Sequence, residues 1–233
     1  MSRGNVTMAS RPPDDTSSST SHSRYRRVAR TVLMLSALLA GLHLLVATPH
    51  FVVRLLRGSP VETFDGIDNF AVVDETVWRG SAPSTEAYAA LAEAGVVTVV
   101  DLRAEADPDG TRESASAAGL SWVHVPIRDG QTPTAIQVAT VTAIIESADG
   151  PVFVHCQAGV GRTGSLIAAL SVADGGSPGG ALMEALRFGP ISLEQQVFIL
   201  RSQPQQTAAS LLPVKAASRL IDSPRRMWSR LTG

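Results

Sequence analysis

Residues 151–173, PVFVHCQAGVGRTGSLIAALSVA, constrain the fold more than any other stretch of the chain. An apolar, valine-rich run typical of a buried strand leads into a turn with Gly159 and Gly161, and a helical segment follows at once. A helix that leaves a buried strand through a tight turn folds back over the sheet to bury its apolar side. The segment therefore predicts an α/β domain.

The flanking sequence continues this alternation of strands and helices. Strands are predicted in FAVVDETVWRG (70–80, two short strands about a turn), VVTVVDLR (96–103) and SWVHVP (121–126). Helices are predicted from Ser84 to Gly95, from Thr132-Pro133 to about Ser147, and in the stretches SPGGALMEALRFG and ISLEQQVFILR. We expect one compact domain over residues 68–203, with a central sheet flanked by helices.

Residues 31–53 form the longest apolar stretch of the chain. TVLMLSALLAGLHLLVA (31–47) carries no Asp, Glu, Lys or Arg, and the apolar character continues to Val53. As a helix this stretch is roughly 26 to 34 Å long, enough to cross a hydrocarbon core of about 30 Å. A buried core helix is disfavoured, because this stretch is apolar on every face and lies outside the domain that follows. A cleaved signal peptide is also disfavoured, because LVA before Thr48 is a poor match to a cleavage site. We therefore predict one transmembrane anchor over residues 31–53.

The segments on either side of the anchor and the domain are predicted to lack a fold of their own. Residues 1–30 are rich in Ser, Thr, Pro and Arg and have little to bury, so they are interpreted as a disordered tail. Residues 54–67 are interpreted as a linker. The basic tail 204–233 also contains apolar residues, but Pro224 interrupts any long membrane-surface helix, so disorder is the preferred interpretation.

The charges that flank the anchor bear on its orientation. More arginines precede the apolar stretch than follow it: Arg24, Arg26, Arg27 and Arg30 come before, and Arg54 and Arg57 come after. The positive-inside rule then favours, by this small margin, a single-pass membrane protein with a cytoplasmic N-terminus.

Cys156 is the only cysteine of the 233 residues, and it lies between the predicted strand and the glycine turn. A lone cysteine excludes an intramolecular disulfide and every multi-cysteine zinc site. The formal net charge of −1 gives no overall basic field for nucleic acid, so we expect no nucleic-acid partner. Cys156 is therefore either a small buried apolar residue or a nucleophile.

The sequence HCQAGVGRTG (155–164) has the features of an anion-binding turn. Backbone N–H groups in the glycine turn and at the start of the following helix create a positive potential. That potential would favour the thiolate form of Cys156, and Arg162 offers the planar fork that suits phosphate oxygens. A nucleotide-binding loop would need glycine in place of Cys156 and lysine in place of Arg162. The pattern indicates a nucleophilic cysteine beside a bound anion.

HCQAGVGRTG is similar to the HC-x5-R-[ST] signature of cysteine-dependent protein tyrosine and dual-specificity phosphatases, and especially to its HCxAGxGRTG form. The resemblance extends over residues 68–201. VWRGSAPS is similar to the YRSxxP segment of bacterial members, VVDLR to their NLR strand end, and VPIRDGQTP to the loop that bears their acid. Several bacterial members also have one N-terminal membrane helix. The resemblance implies hydrolysis of phosphate monoesters through a phosphocysteine intermediate, with no metal or other cofactor.

The functional residues of this family carry over position by position. Cys156 would be the nucleophile, Arg162 the phosphate clamp and Asp129 the general acid. His155 would order the loop, and Thr163 would stabilise the thiolate as it leaves the intermediate. The phosphate oxygens would be held by Arg162 and by the backbone amides of Gln157, Ala158, Gly159, Val160 and Gly161.

Some of these roles have alternatives. Asp129 lies in RDG, a common turn sequence, and Asp107 and Asp109 are rival acids. Gln195 resembles the glutamine that positions water in some tyrosine phosphatases, but its segment is also typical of an amphipathic surface helix. Two arginines are interpreted as structural ion-pair residues: Arg79 and Arg103.

The segment between Cys156 and Arg162 has no Lys or Arg. Lipid and inositol phosphatases of the superfamily often carry extra cations there, so the resemblance favours phosphotyrosine on proteins, with phosphoserine and phosphothreonine also open. A small-molecule or lipid phosphate is the alternative substrate. Sulfur transfer or arsenate reduction is disfavoured because no second cysteine is present, and a mere phosphate-binding module is disfavoured because Cys156, Arg162 and Asp129 are all present.

Overall fold

The computed structural model describes residues 17–105 and 108–202. The chain divides into two compact units between Gly41 and Leu42. Helix α1 (Ser17–Arg57) contributes to both. The other elements are β1 (Glu62–Phe64), β2 (Ile67–Val72), β3 (Val77–Gly80), α2 (Thr85–Glu93), β4 (Thr98–Arg103), α3 (Pro108–Ala117), β5 (Ser121–Ile127), α4 (Ala135–Ser147), β6 (Val152–His155), α5 (Gly161–Ala173), α6 (Pro178–Phe188) and α7 (Leu193–Arg201).

The six strands form one mixed sheet in the order β1-β2-β3-β6-β4-β5. The first three strands pair antiparallel, whereas β3, β6, β4 and β5 are parallel to one another. Gly80 and Asp101 are both register partners of His155, so β3, β6 and β4 end level at one edge of the sheet. In open sheets of this kind, ligands bind at the carboxyl ends of the parallel strands.

Successive residues of the central strands pack on opposite faces of the sheet. Val99 and Phe153 belong to the core beneath α2 and α3, whereas Val100 and Val154 belong to the core beneath α4 and α5. Because both faces are covered, β4 and β6 are apolar without alternation. Helices α6 and α7 pack beside α5. The predicted fold class, a central sheet flanked by helices, is confirmed.

The helix starts follow from side-chain caps in the sequence. The Ser84 hydroxyl accepts a hydrogen bond from Ala87 N at 3.2 Å, which begins α2 as predicted. For α4 the predicted start at Thr132-Pro133 is two residues early. Thr134 caps this helix, because its hydroxyl accepts from Gln137 N at 3.2 Å while Gln137 Oε1 accepts from Thr134 N at 2.8 Å. This reciprocal pair is the capping box that Thr-x-x-Gln specifies.

Two elements are present where no element was predicted. Helix α3 is polar along most of its length, and Ala115 is its one described residue in the buried class, so it shows little apolar periodicity. Strand β1 is three residues long and lies in the predicted linker. It pairs with β2, and its own composition does not predict this pairing.

The bounds of α1 differ from the predicted tail, anchor and linker. Residues 17–30 are helical although they were expected to be disordered, and the helix continues to Arg57 beyond the predicted anchor end at residue 53. Once an apolar helix is nucleated, each added residue gains a hydrogen bond at little further cost, so flanking polar residues join it. Residues 1–16 of the predicted tail, and the predicted tail 204–233, lie outside the described residues.

Residues 25–57 form a helix long and apolar enough to cross a membrane, with a mean hydropathy of 2.0. The C-terminal part of α1, however, also packs on α6 and α7. Val53 is 3% exposed and belongs to their apolar cluster. His50 Nδ1 lies 2.6 Å from Leu186 O, and Gln196 Nε2 donates to Val46 O at 3.1 Å. The end of this helix is therefore part of the globular domain.

Candidate active site

Cys156 follows β6 directly, and α5 begins at Gly161, so residues 156–160 form a tight loop, called here the cysteine loop. Gly159 has a φ of +68°, and a Cβ at this position would overlap the backbone of Gly80 and Ser81. Glycine alone meets both conditions without strain. The loop lies at the carboxyl edge of β6, and Cys156 within it is 3% exposed.

Three successive carbonyl groups of the cysteine loop accept hydrogen bonds from the neighbouring part of the domain. The bonds are Ala82 N to Gln157 O (3.2 Å), Asn69 Nδ2 to Ala158 O (2.9 Å) and Arg79 Nη2 to Gly159 O (2.5 Å). In a trans peptide the N–H points opposite to the carbonyl, so the amides of residues 158–160 are turned away from these donors. A run of amides turned in this way forms a concave anion-binding nest.

Arg79 supports this loop from beneath. It is 2% exposed, and its guanidinium lies over the Phe188 ring at 3.6 Å from the ring centre. Burial lowers the pKa of Arg79 to about 10, although the charges of Cys156 and Glu184 oppose this shift. The sequence-based interpretation of Arg79 as an ion-pair residue needs revision, because its hydrogen bond goes to a loop carbonyl.

Arg162, in the first turn of α5, is 3% exposed. Its Nη1 donates to Glu105 Oε2 at 2.8 Å and its Nη2 lies 2.6 Å from Glu105 Oε1, a two-pronged contact. Arg162 Nη1 also donates to Ile127 O at 3.2 Å. Burial disfavours the charge, but the bonds to Glu105 and the charges of Cys156 and Asp129 raise the pKa of Arg162. The Nε–H has no hydrogen-bond partner among the described residues, so it is a donor that a ligand could use.

Asp129 is the acidic residue that the structure brings to Arg162 from the predicted acid-bearing loop. Its Oδ1 lies 3.7 Å from Arg162 Nη2, and its side chain is 50% exposed. Asp109 instead forms an exposed pair with Arg112 on α3 at 2.9 Å. Asp107 lies outside the described residues. Sequence reasoning did not single out Glu105, although its place just beyond the carboxyl end of β4 marks it as a residue of the site edge.

His155 is fully buried at the end of β6. Its Nδ1 lies 3.3 Å from Cys156 O, and its Nε2 lies 4.0 Å from Asp101 Oδ2. Burial lowers the pKa of His155 to about 4, with the charge of Asp101 opposing the shift and that of Arg103 adding to it. The imidazole is therefore neutral near pH 7, which suits a group that orders the loop rather than one that carries protons.

Arg103 connects this buried histidine network to the cysteine loop. Its Nη2 donates to Asp101 Oδ2 at 2.7 Å, and its Nη1 donates to Gln157 Oε1 at 3.3 Å. Burial alone would raise the pKa of Asp101, but the hydrogen bonds from Arg103 and the His155 interaction hold it below its ordinary value. The predicted ion-pair role of Arg103 agrees with these contacts.

Thr163 and Gln195 are both buried near the start of α5. Thr163 is 0% exposed, and its Oγ1 has no hydrogen-bond partner within the described part of the chain. Gln195 is 2% exposed, so the alternative that it belongs to a surface helix face is wrong. A Cβ added at Gly161 would come within 2.9 Å of Gln195 Oε1, which shows how closely this side chain approaches the start of α5.

Within residues 17–105 and 108–202, no group of three or more His, Cys, Asp or Glu residues could hold a metal ion.

Curated relatives match parts of the domain. "Probable NAD kinase 2, chloroplastic" of Oryza sativa subsp. japonica is 33% identical over 96 residues, which cover 39% of this chain and 10% of that protein. "Tyrosine-protein phosphatase cdc-14" of Caenorhabditis elegans is 32% identical over 111 residues, 46% of this chain and 15% of that protein. "Inositol diphosphatase DSP4" of Arabidopsis thaliana is 28% identical over 111 residues, 42% of this chain and 52% of that protein. The chain thus spans from about a tenth to about half of the length of these relatives.

A solved structure, that of Tk-PTP in the active form, superposes on the chain with a TM-score of 0.51 and 25% identity, covering 58% of this chain and 95% of that one. Residues 59–199 match the model of the family described as "DSP-PTPase phosphatase fused to NAD+ Kinase". The match covers more than half of the chain, and it includes the cysteine loop as well as Arg162 and its partner Glu105. The chain therefore belongs to this family, within the superfamily of cysteine-dependent phosphatases.

Proposed function

We propose that the chain hydrolyses phosphate monoesters through a phosphocysteine intermediate. The observation that carries this proposal is the meeting of Cys156, Arg162 and Asp129 at one edge of the sheet, with Asp129 Oδ1 3.7 Å from Arg162 Nη2. The turned amides of the cysteine loop and the start of α5 supply the fixed dipoles that a phosphoryl group needs.

The reaction takes two displacements. In the first, the Cys156 thiolate attacks phosphorus, the bond from phosphorus to the ester oxygen breaks, and Asp129 gives its proton to the departing oxygen. In the second, Asp129 takes a proton from water, the water oxygen attacks phosphorus, and the bond from phosphorus to sulfur breaks. Inorganic phosphate leaves and the thiolate is restored. The Thr163 hydroxyl, buried beside the loop, stabilises the sulfur charge as it re-forms.

The proposed substrate is phosphotyrosine on a protein. The side chains of residues 157–161 are uncharged, so between Cys156 and the first turn of α5 Arg162 supplies the one cation, which suits a singly phosphorylated group. The similarity to a protein named a tyrosine-protein phosphatase supports this choice. Phosphoserine and phosphothreonine peptides extend the same class.

An inositol or other small-molecule phosphate is the second candidate. Arg103 is only partly buried, and it reaches the rim of the loop through Gln157 at 3.3 Å, so a second cation is available to a substrate with more than one phosphate. The similarity to a protein named an inositol diphosphatase supports this alternative.

The chain is proposed to act as a single-pass membrane protein with α1 as its anchor. The hydropathy of residues 25–57 supports the anchor, and the arginines before the apolar stretch favour a cytoplasmic N-terminus.

The test is a turnover assay of the detergent-solubilised full chain on p-nitrophenyl phosphate, followed by phosphotyrosine, phosphoserine and phosphothreonine peptides and a phosphoinositide. Cys156→Ser is nearly isosteric and should reduce turnover to background, because an unactivated hydroxyl cannot replace the thiolate. Retention of a tenth of wild-type turnover by the pure variant would remove Cys156 from the mechanism. Sulfur transfer from thiosulfate without ester hydrolysis would assign the chain to the other reaction class.

A further inference from the structure

The N-terminus of α7 is built as a reciprocal cap. Ser192 Oγ accepts a hydrogen bond from Gln195 N at 3.2 Å, and Gln195 Oε1 accepts one from Ser192 N at 3.0 Å. These two bonds satisfy two of the free backbone N–H groups at the helix start, and they would do so anywhere on a protein surface. Yet Ser192 is 4% and Gln195 2% exposed, so each side chain must also satisfy its remaining polar atoms inside the protein.

The Ser192 hydroxyl and one N–H of the Gln195 amide donate to the loop that carries Asp129, residues 128–132 after β5, called here the acid loop. Ser192 Oγ donates to Gly130 O at 2.9 Å, and Gln195 Nε2 donates to Gln131 O at 3.0 Å. These are the two carbonyls that follow Asp129 in the chain. The cap of α7 therefore fixes the backbone immediately after the proposed general acid.

The same Gln195 amide lies against the start of α5. A Cβ at Gly161 would come within 2.9 Å of Gln195 Oε1 and 3.0 Å of Gln195 Nε2, so the amide is in contact with the residue before Arg162. From the other side of the acid loop, Arg162 Nη1 donates to Ile127 O at 3.2 Å. The acid loop is thus held on both sides of Asp129, by Arg162 before it and by the α7 cap after it.

We propose that Ser192 and Gln195 are positioning residues that hold the acid loop against the cysteine loop and so keep Asp129 in reach of the ester oxygen. The kinetic part of this proposal rests on the proposed phosphatase function. This role is distinct from positioning water, because it rests on the bonds that Gln195 makes to Ser192 N and Gln131 O.

The primary test is Gln195→Met, which keeps the length of the side chain and removes both hydrogen bonds. The matched control is Gln196→Met, one position further on α7, since the Gln196 amide bonds to Ile191 O and Val46 O and not to the acid loop. Gln195→Met should lower kcat on a phosphotyrosine peptide about tenfold, part of the 10² to 10⁴ that a general acid contributes, with KM nearly unchanged. The loss should be smaller on a phosphate ester with an acidic leaving group. The control should stay within about twofold of wild type.

A merely structural cap is separated from a positioning role by a double-mutant cycle. In the Asp129→Asn background, Gln195→Met should cause no further loss of kcat, because the acid it positions is already gone. Equal losses on both substrates, or a tenfold loss that persists in the Asp129→Asn background, would overturn the proposal. Ser192→Ala repeats the cycle with a smaller change if Gln195→Met fails to fold.

Hydrogen exchange tests the same contact without any activity. Amides of residues 128–132 should exchange faster in Gln195→Met than in wild type or Gln196→Met, while amides of β4 should be unchanged. Unchanged exchange at the acid loop would overturn the proposal. If the wild-type chain is inactive but Gln195→Met still speeds exchange in the acid loop, the result would count against the proposed function. The inference that Gln195 holds the acid loop would then still stand.

Discussion

Glu105 is the carboxylate that sets the orientation of the Arg162 guanidinium. Its two oxygens lie at 2.8 and 2.6 Å from the two terminal nitrogens of Arg162, and the arginine is almost fully buried while Glu105 is half exposed. Removing the carboxylate would leave a buried cation without its strongest partner. The Nε–H that remains for the substrate would then no longer be held in one direction.

We predict that Glu105→Ala lowers kcat/KM for a phosphotyrosine peptide about tenfold to hundredfold, the range expected for the loss of a charge-assisted hydrogen bond. Steady-state kinetics against Glu113→Ala, an exposed glutamate of α3, provides the comparison. Full activity in Glu105→Ala would show that the cysteine loop alone orients Arg162.

His155 makes stability depend on pH. Its folded-state pKa is lowered to about 4, mainly by burial, whereas an unfolded histidine titrates near pH 6.5. Between these two values the unfolded chain binds a proton that the folded chain does not. The contribution of His155 to stability is therefore complete above about pH 6.5, and it is lost as the pH falls from there towards 4, by up to about 1.4 kcal/mol per pH unit.

The measurement for His155 is denaturant unfolding at several pH values between 4.5 and 7.5. His155→Gln should flatten the pH dependence in this window, because glutamine takes up no proton. A wild-type slope retained in His155→Gln would assign the dependence to other groups.

A residue of the site could be predicted from the sequence when the pattern that marks it lies within a few neighbouring residues. Cys156 and Arg162 lie in one short motif, and Asp129 follows a strand in a glycine turn, so the sequence points to all three. Glu105 and Asn69 carry no such mark. Asn69 lies within β2 with a φ of +53°, a conformation that asparagine tolerates, and its value to the site depends on a bond to Ala158 O from a distant part of the chain.

At the scale of elements, the most consequential difference from expectation is the end of α1. The sequence suggests a free linker after residue 53, but α1 continues to Arg57, and its last turns lie on α6 and α7. A helix can present one side to a domain and the other to solvent or lipid. Val53 is 3% exposed on the packed side, and Leu55, two residues later, is 86% exposed.

This packing predicts that Val53→Ala destabilises the globular domain by about 2 kcal/mol, the cost of removing two buried methyl groups. Leu55→Ala should change the unfolding free energy by less than about 0.5 kcal/mol, since its side chain is already exposed. Chemical unfolding of the full chain in detergent, followed by tryptophan fluorescence, measures both. Equal effects of the two substitutions would mean that α1 ends free of the domain.

Strands with a largely apolar sequence were predicted correctly because burial on both faces of the sheet leaves its own pattern. Strands β4 and β6 belong to this group. Helix α3 and strand β1 were not predicted, because a polar helix and a three-residue strand depend on tertiary contacts that composition does not record. The same limit applies to α1, whose polar ends join a helix nucleated by its apolar centre.

At the scale of the whole molecule, the site is assembled from segments far apart in sequence. The parallel order of β3, β6 and β4 brings their carboxyl ends level, so residues that follow different strands meet around the cysteine loop. The acid loop after β5 also belongs to this site, and the cap of α7 is hydrogen-bonded to it. The alternation of strands and helices predicts such an edge, but strand order, and with it the partner of each residue, depends on the folded topology.

The membrane topology of the full chain can be tested through its single cysteine. Cys156→Ser gives a cysteine-free chain that is nearly isosteric with wild type, so one new cysteine can be added on either side of the apolar stretch 31–53. Ser23→Cys lies before the apolar stretch, and Ser116→Cys lies on the exposed surface of α3. The arginines before the stretch favour retention of the N-terminus in the cytoplasm.

In sealed cells, a membrane-impermeant maleimide should therefore label the chain with Ser116→Cys, and label the chain with Ser23→Cys only after the membrane is permeabilised. The opposite pattern would reverse the orientation, with the domain in the cytoplasm. Labelling of both chains in sealed cells, together with release of the protein by a carbonate wash, would show that α1 does not span the membrane. Retention in the carbonate pellet is expected, because residues 25–57 form a helix long and apolar enough to cross a membrane.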